Sequence, residues 1–166
     1  MATTPFDLTL INKLRTLLID RNESVAVAES VTAGLIQAAL SQADDAIQFF
    51  QGGITTYNLG QKARHLFVEP TEAAKNNCVS LKVATAMAVN VCPMFTSDWG
   101  IAITGYASTV PESGNKLFAY YAVAYKGKIV IANKAVPPKG KQFAVQVHLA
   151  NEVIQSVHDY LIENPG

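Results

Sequence analysis

The stretch SVAVAE at residues 24–29 runs directly into SVTAG at residues 30–34, and the boundary between them decides the fold. The first stretch is a short apolar run with two valines, which is typical of a buried strand. After the second stretch, apolar residues return at helical spacing over residues 35–40. This segment therefore predicts a strand, a tight turn and a helix.

Apolar spacing on either side of this unit predicts the remaining elements. Helices are expected over residues 6–21, 62–67, 80–91 and 142–162, and strands over residues 49–57, 98–104, 117–125 and 128–136. Ser80 is a suitable N-cap for the helix at 80–91, and Pro93 is expected to end it.

The predicted order of elements is α-β-α-β-α-α-β-β-β-α. Because helices separate the first strands, the fold class is an α/β, three-layer α/β/α sandwich. Its sheet is mixed, since the last two strands form a C-terminal hairpin, which a long helix follows. We expect a single domain spanning residues 1–166.

Composition excludes several classes of protein. Hydrophobic residues make up 49% of the chain and charged residues 16%, which is too apolar and too weakly charged for a disordered protein. Lys+Arg and Asp+Glu are both 13, so a formal net charge of zero predicts neither a nucleic-acid partner nor binding to an anionic membrane. The low charge content favours a surface covered by another subunit, and hence a homo-oligomer.

Signals of compartment and of metal chemistry are sparse. Residues 1–6 lack the pattern of a signal peptide, and no run reaches the roughly 20 apolar residues of a membrane span, so a cytoplasmic location is expected. Cys78 and Cys92 provide no disulfide or metal framework and are interpreted as reduced core thiols. His148 and Glu152 stand one helical turn apart, but two ligands are not a metal site, and a surface pair is expected.

Ligands of open α/β sheets gather beyond the carboxyl ends of the strands. Three predicted strands of this chain end in residues that suit such a pocket: Ser30 and Thr32, Tyr57 and Asn58, Thr104 and Gly105. Hydroxyl groups at the ends of neighbouring strands are typical of a ligand pocket.

Ser30 has two interpretations. It precedes a predicted helix, whose N-terminal N–H groups and positive partial charge suit a phosphate or an oxyanion. Gly34 would let a ligand approach the backbone closely. Alternatively, Ser30 or Thr32 caps the helix, which is a common use of hydroxyl side chains.

Lys62 follows Tyr57 by five residues, across a turn. A serine beside a lysine or tyrosine can be activated as a nucleophile, because the amine or phenolate accepts its proton. Taken alone, however, Lys62 is more simply interpreted as a solvated surface lysine.

Four motifs, in order, resemble the C-terminal domain of the CinA family, the nicotinamide-nucleotide amidohydrolases. AESVTAG at residues 28–34 resembles the family signature Ala-Glu-Ser-Cys-Thr-Gly-Gly. GGITTYN at residues 52–58, followed by Lys62, resembles Gly-Gly-x-x-x-Tyr-(Ser/Asn) and its lysine. Val79-Ser80 and WGIAITG at residues 99–105 complete a match over nearly the whole chain.

The resemblance implies a three-layer α/β domain, commonly an oligomer, that acts on a small-molecule nucleotide. The reaction is hydrolysis of nicotinamide mononucleotide to nicotinic acid mononucleotide and ammonia, in pyridine-nucleotide recycling, with no metal and no cofactor. Ser30 would be the nucleophile or the principal catalytic hydroxyl, and Tyr57 and Lys62 would activate or orient it. Backbone groups at residues 32–34 would serve as oxyanion or phosphate donors. The implied substrate-binding residues are Thr32, Ala33, Gly34, Asn58, Thr104 and Gly105.

The sequence departs from the family pattern beside this site. Val31 and Ala33 stand where the family has cysteine and glycine, and YASTVPESG at residues 106–114 replaces a glycine-rich Ile-Ala-Gly-Pro-x-Gly-Gly loop. A lysine neutralises a phosphate but lacks the bidentate fork of arginine. Four residues stand where the family usually has arginines entering the last helix: Lys139, Lys141, Gln142 and Gln146.

Three functions are therefore compatible with the sequence. The retained Ser30, Tyr57, Lys62 and Thr104 favour an amidohydrolase acting on nicotinamide mononucleotide. Changes clustered where specificity is set favour an amidase with a shifted substrate. The altered loop and the missing arginines favour a catalytically inactive CinA-like paralogue acting as a binding or assembly module, since a fold does not fix a function.

Overall fold

The computed structural model describes residues 3–166 and contains one mixed sheet. Its strands are β1 (Val25–Glu29), β2 (Phe50–Thr55), β3 (Trp99–Tyr106), β4 (Phe118–Tyr125) and β5 (Lys128–Ala135). They lie in the order β2-β1-β3-β4-β5. β1 pairs in parallel with β2 and β3, whereas β3, β4 and β5 pair antiparallel. The predicted mixed sheet with a closing hairpin is confirmed.

Helices cover both faces of this sheet. They are α1 (Leu8–Asp20), α2 (Leu35–Leu40), α3 (Leu59–Leu66), α4 (Pro70–Ala74), α5 (Leu81–Phe95) and α6 (Gln142–Glu163). α1, α2 and α6 contribute to one apolar core, and α3, α4 and α5 border the other. The predicted three-layer sandwich with a long C-terminal helix is therefore confirmed. Three helices separate β2 from β3, and the short α4 among them has Glu69 as its N-cap.

The two faces of the sheet carry side chains of different size. The valines of β1 pack into the core shared with α1, α2 and α6, and its alanines pack against α5, as the alternation of side chains along a strand requires. Ala102 and Ala122 extend the small face across β3 and β4. A Cβ added at Gly100 would lie 2.1 Å from the carbonyl oxygen of Ala88. Small residues on this face therefore let α5 lie close to the sheet.

Helix α5 begins as predicted but ends later. Ser80 caps it, accepting a hydrogen bond from the N–H of Val83 at 3.2 Å. The prediction that Pro93 ends the helix is wrong, because α5 continues through it to Phe95. Proline removes only one N–H from the helical ladder, and Thr96 closes the helix in the left-handed conformation instead.

Strand β3 runs two residues beyond its predicted end. Gly105 pairs with Ala119 and Tyr106 with Phe118, so the predicted loop begins later than expected. A Cβ at Gly105 would lie 2.5 Å from the Cα of Ala119. The absence of a side chain at Gly105 thus serves the pairing of β3 with β4.

Among residues 3–166, none of the helices combines the length and the apolar character that crossing a membrane requires. The signal-peptide prediction concerns residues 1–6, of which Met1 and Ala2 lie outside the described residues. Asp7 begins α1 as its N-cap, accepting a hydrogen bond from the N–H of Leu10 at 3.0 Å.

Candidate functional site

A pocket of about 560 Å³ lies where β1 and β3 end, a size that suits a small-molecule ligand. Because β1, β2 and β3 run parallel, the residues that follow them meet at one edge of the sheet. The predicted site residues that line the pocket are Ser30, Tyr57, Asn58, Lys62, Thr104 and Gly105. The predicted substrate-binding residues outside its lining are Thr32, Ala33 and Gly34.

The hydroxyl of Ser30 and the ammonium of Lys62 are in direct contact inside this pocket. Lys62 Nζ donates hydrogen bonds to Ser30 Oγ at 2.9 Å and to the carbonyl oxygen of Thr56 at 2.8 Å. Lys62 lies on α3 and is only 1% exposed. The interpretation of Lys62 as a solvated surface lysine is therefore wrong.

In the described part of the chain, the charge of Lys62 is not balanced by a carboxylate. Its nitrogen forms no ion pair with an aspartate or glutamate of residues 3–166. Burial lowers the pKa of Lys62 from 10.5 to about 8, and a smaller electrostatic effect of Cys78 opposes this shift. A lysine with this pKa is partly a neutral amine at physiological pH, and the neutral amine is the form that accepts a proton.

Asn58 fixes the start of the helix that carries Lys62. Its side-chain oxygen accepts a hydrogen bond from the N–H of Gln61 at 3.0 Å, which makes Asn58 the N-cap of α3. Asn58 was predicted to bind substrate, and it does line the pocket. Its carboxamide oxygen, however, is engaged by α3 and positions Lys62 one helical turn further on.

Glu29, to which the sequence analysis gave no role, organises the turn after β1. The side chain is fully buried. Its carboxylate accepts hydrogen bonds from the N–H groups of Gly34 at 3.0 Å, Ile36 at 3.2 Å and Gln37 at 2.7 Å. The hydroxyl of Thr32 donates to the same carboxylate. Glu29 thus occupies the N-terminus of α2, where negative charge is favoured.

Neither Ser30 nor Thr32 caps α2, so the capping alternative is wrong. The N-cap residue of α2 is Gly34, at φ +99°, and the N-cap position makes no side-chain hydrogen bond to the helix. The preceding Ala33 has φ +51°, a conformation that glycine adopts more readily. The Ser30 hydroxyl is consequently not used by the helix and has Lys62 as its partner.

The expected backbone donors of this turn are only partly available. The N–H of Ala33 donates to the carbonyl oxygen of Ser30 at 3.0 Å, and that of Gly34 donates to Glu29. The expectation that these two N–H groups serve a ligand is therefore wrong. Within residues 3–166, the N–H groups of Val31 and Thr32 have no such partner.

Tyr57 lies at the rim of the pocket. Its side chain is 65% exposed, and within the described part of the chain no hydrogen bond joins its phenol to Ser30 or to Lys62. Lys62 alone makes the contact that the sequence assigned to both residues. The position of Tyr57 suits contact with a bound ligand.

The segment before α5 forms a strained wall of the pocket. Asn77 and Cys78 have φ values of +49° and +62°, conformations that are uncommon outside glycine and cluster at functional sites. Thr104 Oγ1 donates to the carbonyl oxygen of Cys78 at 2.8 Å. The Asn77 amide donates to the hydroxyl of Tyr106 at 3.2 Å. The end of β3 therefore holds this segment against the pocket.

Asn77 and Cys78 line the pocket but were not predicted to do so. Tyr106, Glu112 and Gln142 also line it; they lie in segments that were named only as departures from the family pattern. Cys78 is a buried thiol in the core beside α5, as expected, and it also lines the pocket; burial raises the pKa of its thiol. Cys92 lies on the buried face of α5, in the core, as expected. Asn77 and Cys78 immediately precede the Val79-Ser80 motif. This position is the sequence feature that could have indicated their place at the pocket.

Comparison with known proteins identifies the family of the chain. The family model described as the CinA C-terminal domain matches residues 7–161. The chain belongs to this family. Its membership confirms the resemblance that the four sequence motifs carried.

Curated relatives of this CinA-family chain are longer proteins. A CinA-like protein from Thermosynechococcus vestitus is 38% identical over 99 residues, which cover 60% of this chain and 24% of the relative. A putative competence-damage inducible protein from Desulforamulus reducens is 30% identical over 145 residues, which cover 87% of this chain and 35% of the relative. The matched segment thus spans about a quarter to a third of these curated relatives.

Solved CinA-superfamily structures share the fold almost in full. The competence-damaged protein (CinA) superfamily protein from Enterobacter cloacae has a TM-score of 0.88 at 26% identity, covering 97% of this chain and 95% of that chain. The superfamily protein from Escherichia coli has a TM-score of 0.84 at 28% identity, covering 97% and 93%.

One residue that departs from the CinA pattern makes a structural hydrogen bond in this chain. Gln146, on α6, stands in the region where the family usually has arginines, and its side-chain amide donates to the carbonyl oxygen of Val31 at 2.8 Å. The amide thereby ties α6 to the turn that carries Ser30. Gln146 supports the turn and is not among the residues that line the pocket.

Proposed function

We propose that this CinA-family domain is an amidohydrolase in which Ser30 attacks a small linear amide. Nicotinamide mononucleotide, which the family resemblance implies, is the first substrate to test. The observation that carries the proposal is the 2.9 Å hydrogen bond between Lys62 Nζ and Ser30 Oγ in a pocket at the strand ends. A buried lysine with a lowered pKa is a suitable base for a serine nucleophile.

In the proposed reaction, neutral Lys62 accepts the proton of the Ser30 hydroxyl while Oγ bonds to the amide carbonyl carbon. The resulting tetrahedral intermediate collapses as Lys62 returns the proton to the amide nitrogen, which leaves as ammonia. Water then attacks the ester carbon and loses a proton to Lys62, which delivers that proton to Oγ as the bond between the carbonyl carbon and Oγ breaks. The products are the free carboxylic acid and the regenerated serine.

The oxyanion of this intermediate needs hydrogen-bond donors close to Ser30. The unpartnered N–H groups of Val31 and Thr32 are the candidates, since those of Ala33 and Gly34 are engaged. An N–H immediately after a nucleophilic serine is a recurring oxyanion donor. The exposed ring of Tyr57 at the pocket rim suits contact with a planar aromatic amide.

The test is ammonia release from nicotinamide mononucleotide by the purified protein and its Ser30→Ala variant. We expect turnover that falls by at least about a thousandfold in Ser30→Ala, because the nucleophile is lost. Ser41→Ala, at an exposed serine after α2, is the matched control. Unchanged turnover in Ser30→Ala would remove this serine from the mechanism.

The altered loop at residues 106–114 favours a second candidate, a catalytically inactive CinA-like binding or assembly module. The same ammonia-release assay distinguishes the amidohydrolase from the inactive module. No ammonia release at high enzyme concentration, from a folded protein and from related amides as well, would favour the inactive module.

A further inference from the structure

The charged groups that line the candidate pocket are few. Of residues 3–166, only Lys62 and Glu112 contribute a charged side chain to its lining. Lys62 already donates to Ser30 and to Thr56. In the proposed reaction it must also lose its proton, so it cannot act at the same time as the counter-ion of a substrate phosphate.

Neither Lys139 nor Lys141, which stand where the family usually has arginines, is among the residues that line the candidate pocket. Lys139 lines a different cavity of about 470 Å³, together with Lys116 and Lys134. Lys134 Nζ lies 4.5 Å from the centroid of the Phe118 ring, over its face. At the start of α6, the residue that does line the candidate pocket is the neutral Gln142.

The helix N-termini near the pocket supply little positive charge to balance a substrate phosphate. The N–H groups at the start of α2 are taken by the carboxylate of Glu29. The start of α6 reaches the pocket through Gln142. A helix N-terminus supplies about half a unit of positive charge, which offsets only part of the charge of a phosphate monoester.

The altered loop adds negative charge instead. Residues Pro111–Ser113 form a turn of 3-10 helix that places Glu112 in the pocket lining. This carboxylate repels a phosphate and attracts a cation. Among residues 3–166, the lining of the pocket therefore combines an acidic side chain with no cationic side chain other than Lys62.

We infer that the candidate site selects an amide without a phosphate, and that Glu112 favours a cationic one such as a pyridinium amide. Glu112 and Gln142 are then the residues that determine specificity. The hydrolysis of such an amide rests on the proposed function, whereas the binding preference is measured independently of it.

Nicotinamide riboside and nicotinamide mononucleotide are a matched pair of probes, because they share the pyridinium amide and differ only in the phosphate. Their binding to the Ser30→Ala protein, which cannot turn over a substrate by the proposed route, is measured by calorimetry at low salt. We expect the riboside to bind about tenfold more tightly. The preference should shrink at high salt, because the exposed carboxylate is then screened.

Two further substitutions, each made in the Ser30→Ala protein, test whether Gln142 and Glu112 cause the preference for the riboside. Gln142→Arg should strengthen binding of the mononucleotide about tenfold while changing that of the riboside by less than about twofold, since arginine pairs with phosphate. Glu112→Gln should narrow the difference between the two ligands. Glu152→Gln, at a residue of α6 that lines a different cavity, is the matched control and should change neither affinity.

Tighter binding of the mononucleotide would overturn the inference and assign its phosphate to the start of α6 or to a partner subunit. Failure of both probes to bind would overturn it as well. Ammonia release by the wild-type protein tests the proposed function separately. A riboside preference without any hydrolysis would refute the proposed function and leave the binding inference standing.

Discussion

Ser30 Oγ accepts a 2.9 Å hydrogen bond from Lys62 Nζ, although one residue follows β1 and the other lies on α3, which follows β2. The parallel pairing of β1 with β2 brings the two segments to the same edge of the sheet. Asn58 then sets where α3 begins, and Glu29 holds the turn that carries Ser30. The contact is thus positioned from both sides by buried or capping side chains.

Removing the amine of Lys62 should abolish hydrolysis. In Lys62→Met the proton of Ser30 has no acceptor, and we expect kcat to fall by about a thousandfold or more. Lys62→Arg should not restore activity, because a guanidinium stays protonated. Ammonia release is the measurement, and Lys75→Met, the same change at an exposed lysine, is the control. Retained activity in Lys62→Met would exclude Lys62 as the base.

The pH dependence of activity should report the pKa of Lys62. Burial lowers this pKa to about 8. The base is the neutral amine, so kcat/KM should rise about tenfold per pH unit below pH 8 and level off above it. A pH–rate profile checks this, and a flat profile between pH 6 and about 9 would contradict the assignment.

The fold followed from the sequence because its elements are strongly patterned. The change at Glu29–Ser30 predicted a strand, a turn and a helix, and the structure has β1 followed by α2. The sequence pattern did not reveal that the two faces of β1 carry side chains of different size, because valine and alanine both count as apolar. That difference became evident only when α5 was placed against Gly100.

The candidate site was predictable only where motifs mark it. Ser30 and Lys62 were found from their motifs, but the burial of Lys62 depends on how α3 packs, which spacing does not encode. Glu112 and Gln142 come from a loop and a helix start far along the chain. Glu29 had a signal, since an acid that ends an apolar strand must be satisfied by buried donors.

Neutralising Glu29 should destabilise the protein. Its buried carboxylate accepts hydrogen bonds from three N–H groups of the α2 region and from Thr32. In Glu29→Gln a carboxamide NH₂ faces some of these donors, and we expect a loss of about 3 kcal/mol in the free energy of unfolding. Chemical denaturation measures it, with Glu163→Gln at an exposed position as control. Equal stability of the two variants would mean that Glu29 is not needed to hold the turn.

We propose that the chain assembles as a homo-oligomer. Charged residues are only 16% of the sequence, and several large apolar side chains are well exposed, among them Ile47, Phe67, Val136 and Phe143. Size-exclusion chromatography with light scattering should give a mass of at least twice 17.8 kDa. A monomer at high protein concentration would contradict this expectation.

Because α5 lies close to the sheet, we expect a side chain added at Gly100 to destabilise the protein. A Cβ there would lie 2.1 Å from the carbonyl oxygen of Ala88 and 2.7 Å from Cys92 Sγ. The Ala88 carbonyl belongs to the backbone of α5, so Gly100→Ala can be accommodated only if the helix moves. We expect a loss of about 3 kcal/mol in the free energy of unfolding.

Gly140→Ala is the matched control for this change. An added Cβ at Gly140 would meet only side chains, at 3.8 Å or more, so its effect should stay below about 1 kcal/mol. Chemical denaturation of both variants gives the comparison. If Gly100→Ala were as stable as Gly140→Ala, α5 would be free to shift, and the small face of the sheet would not fix its distance. Since α5 follows Asn77 and Cys78, such a shift would also move one wall of the candidate pocket.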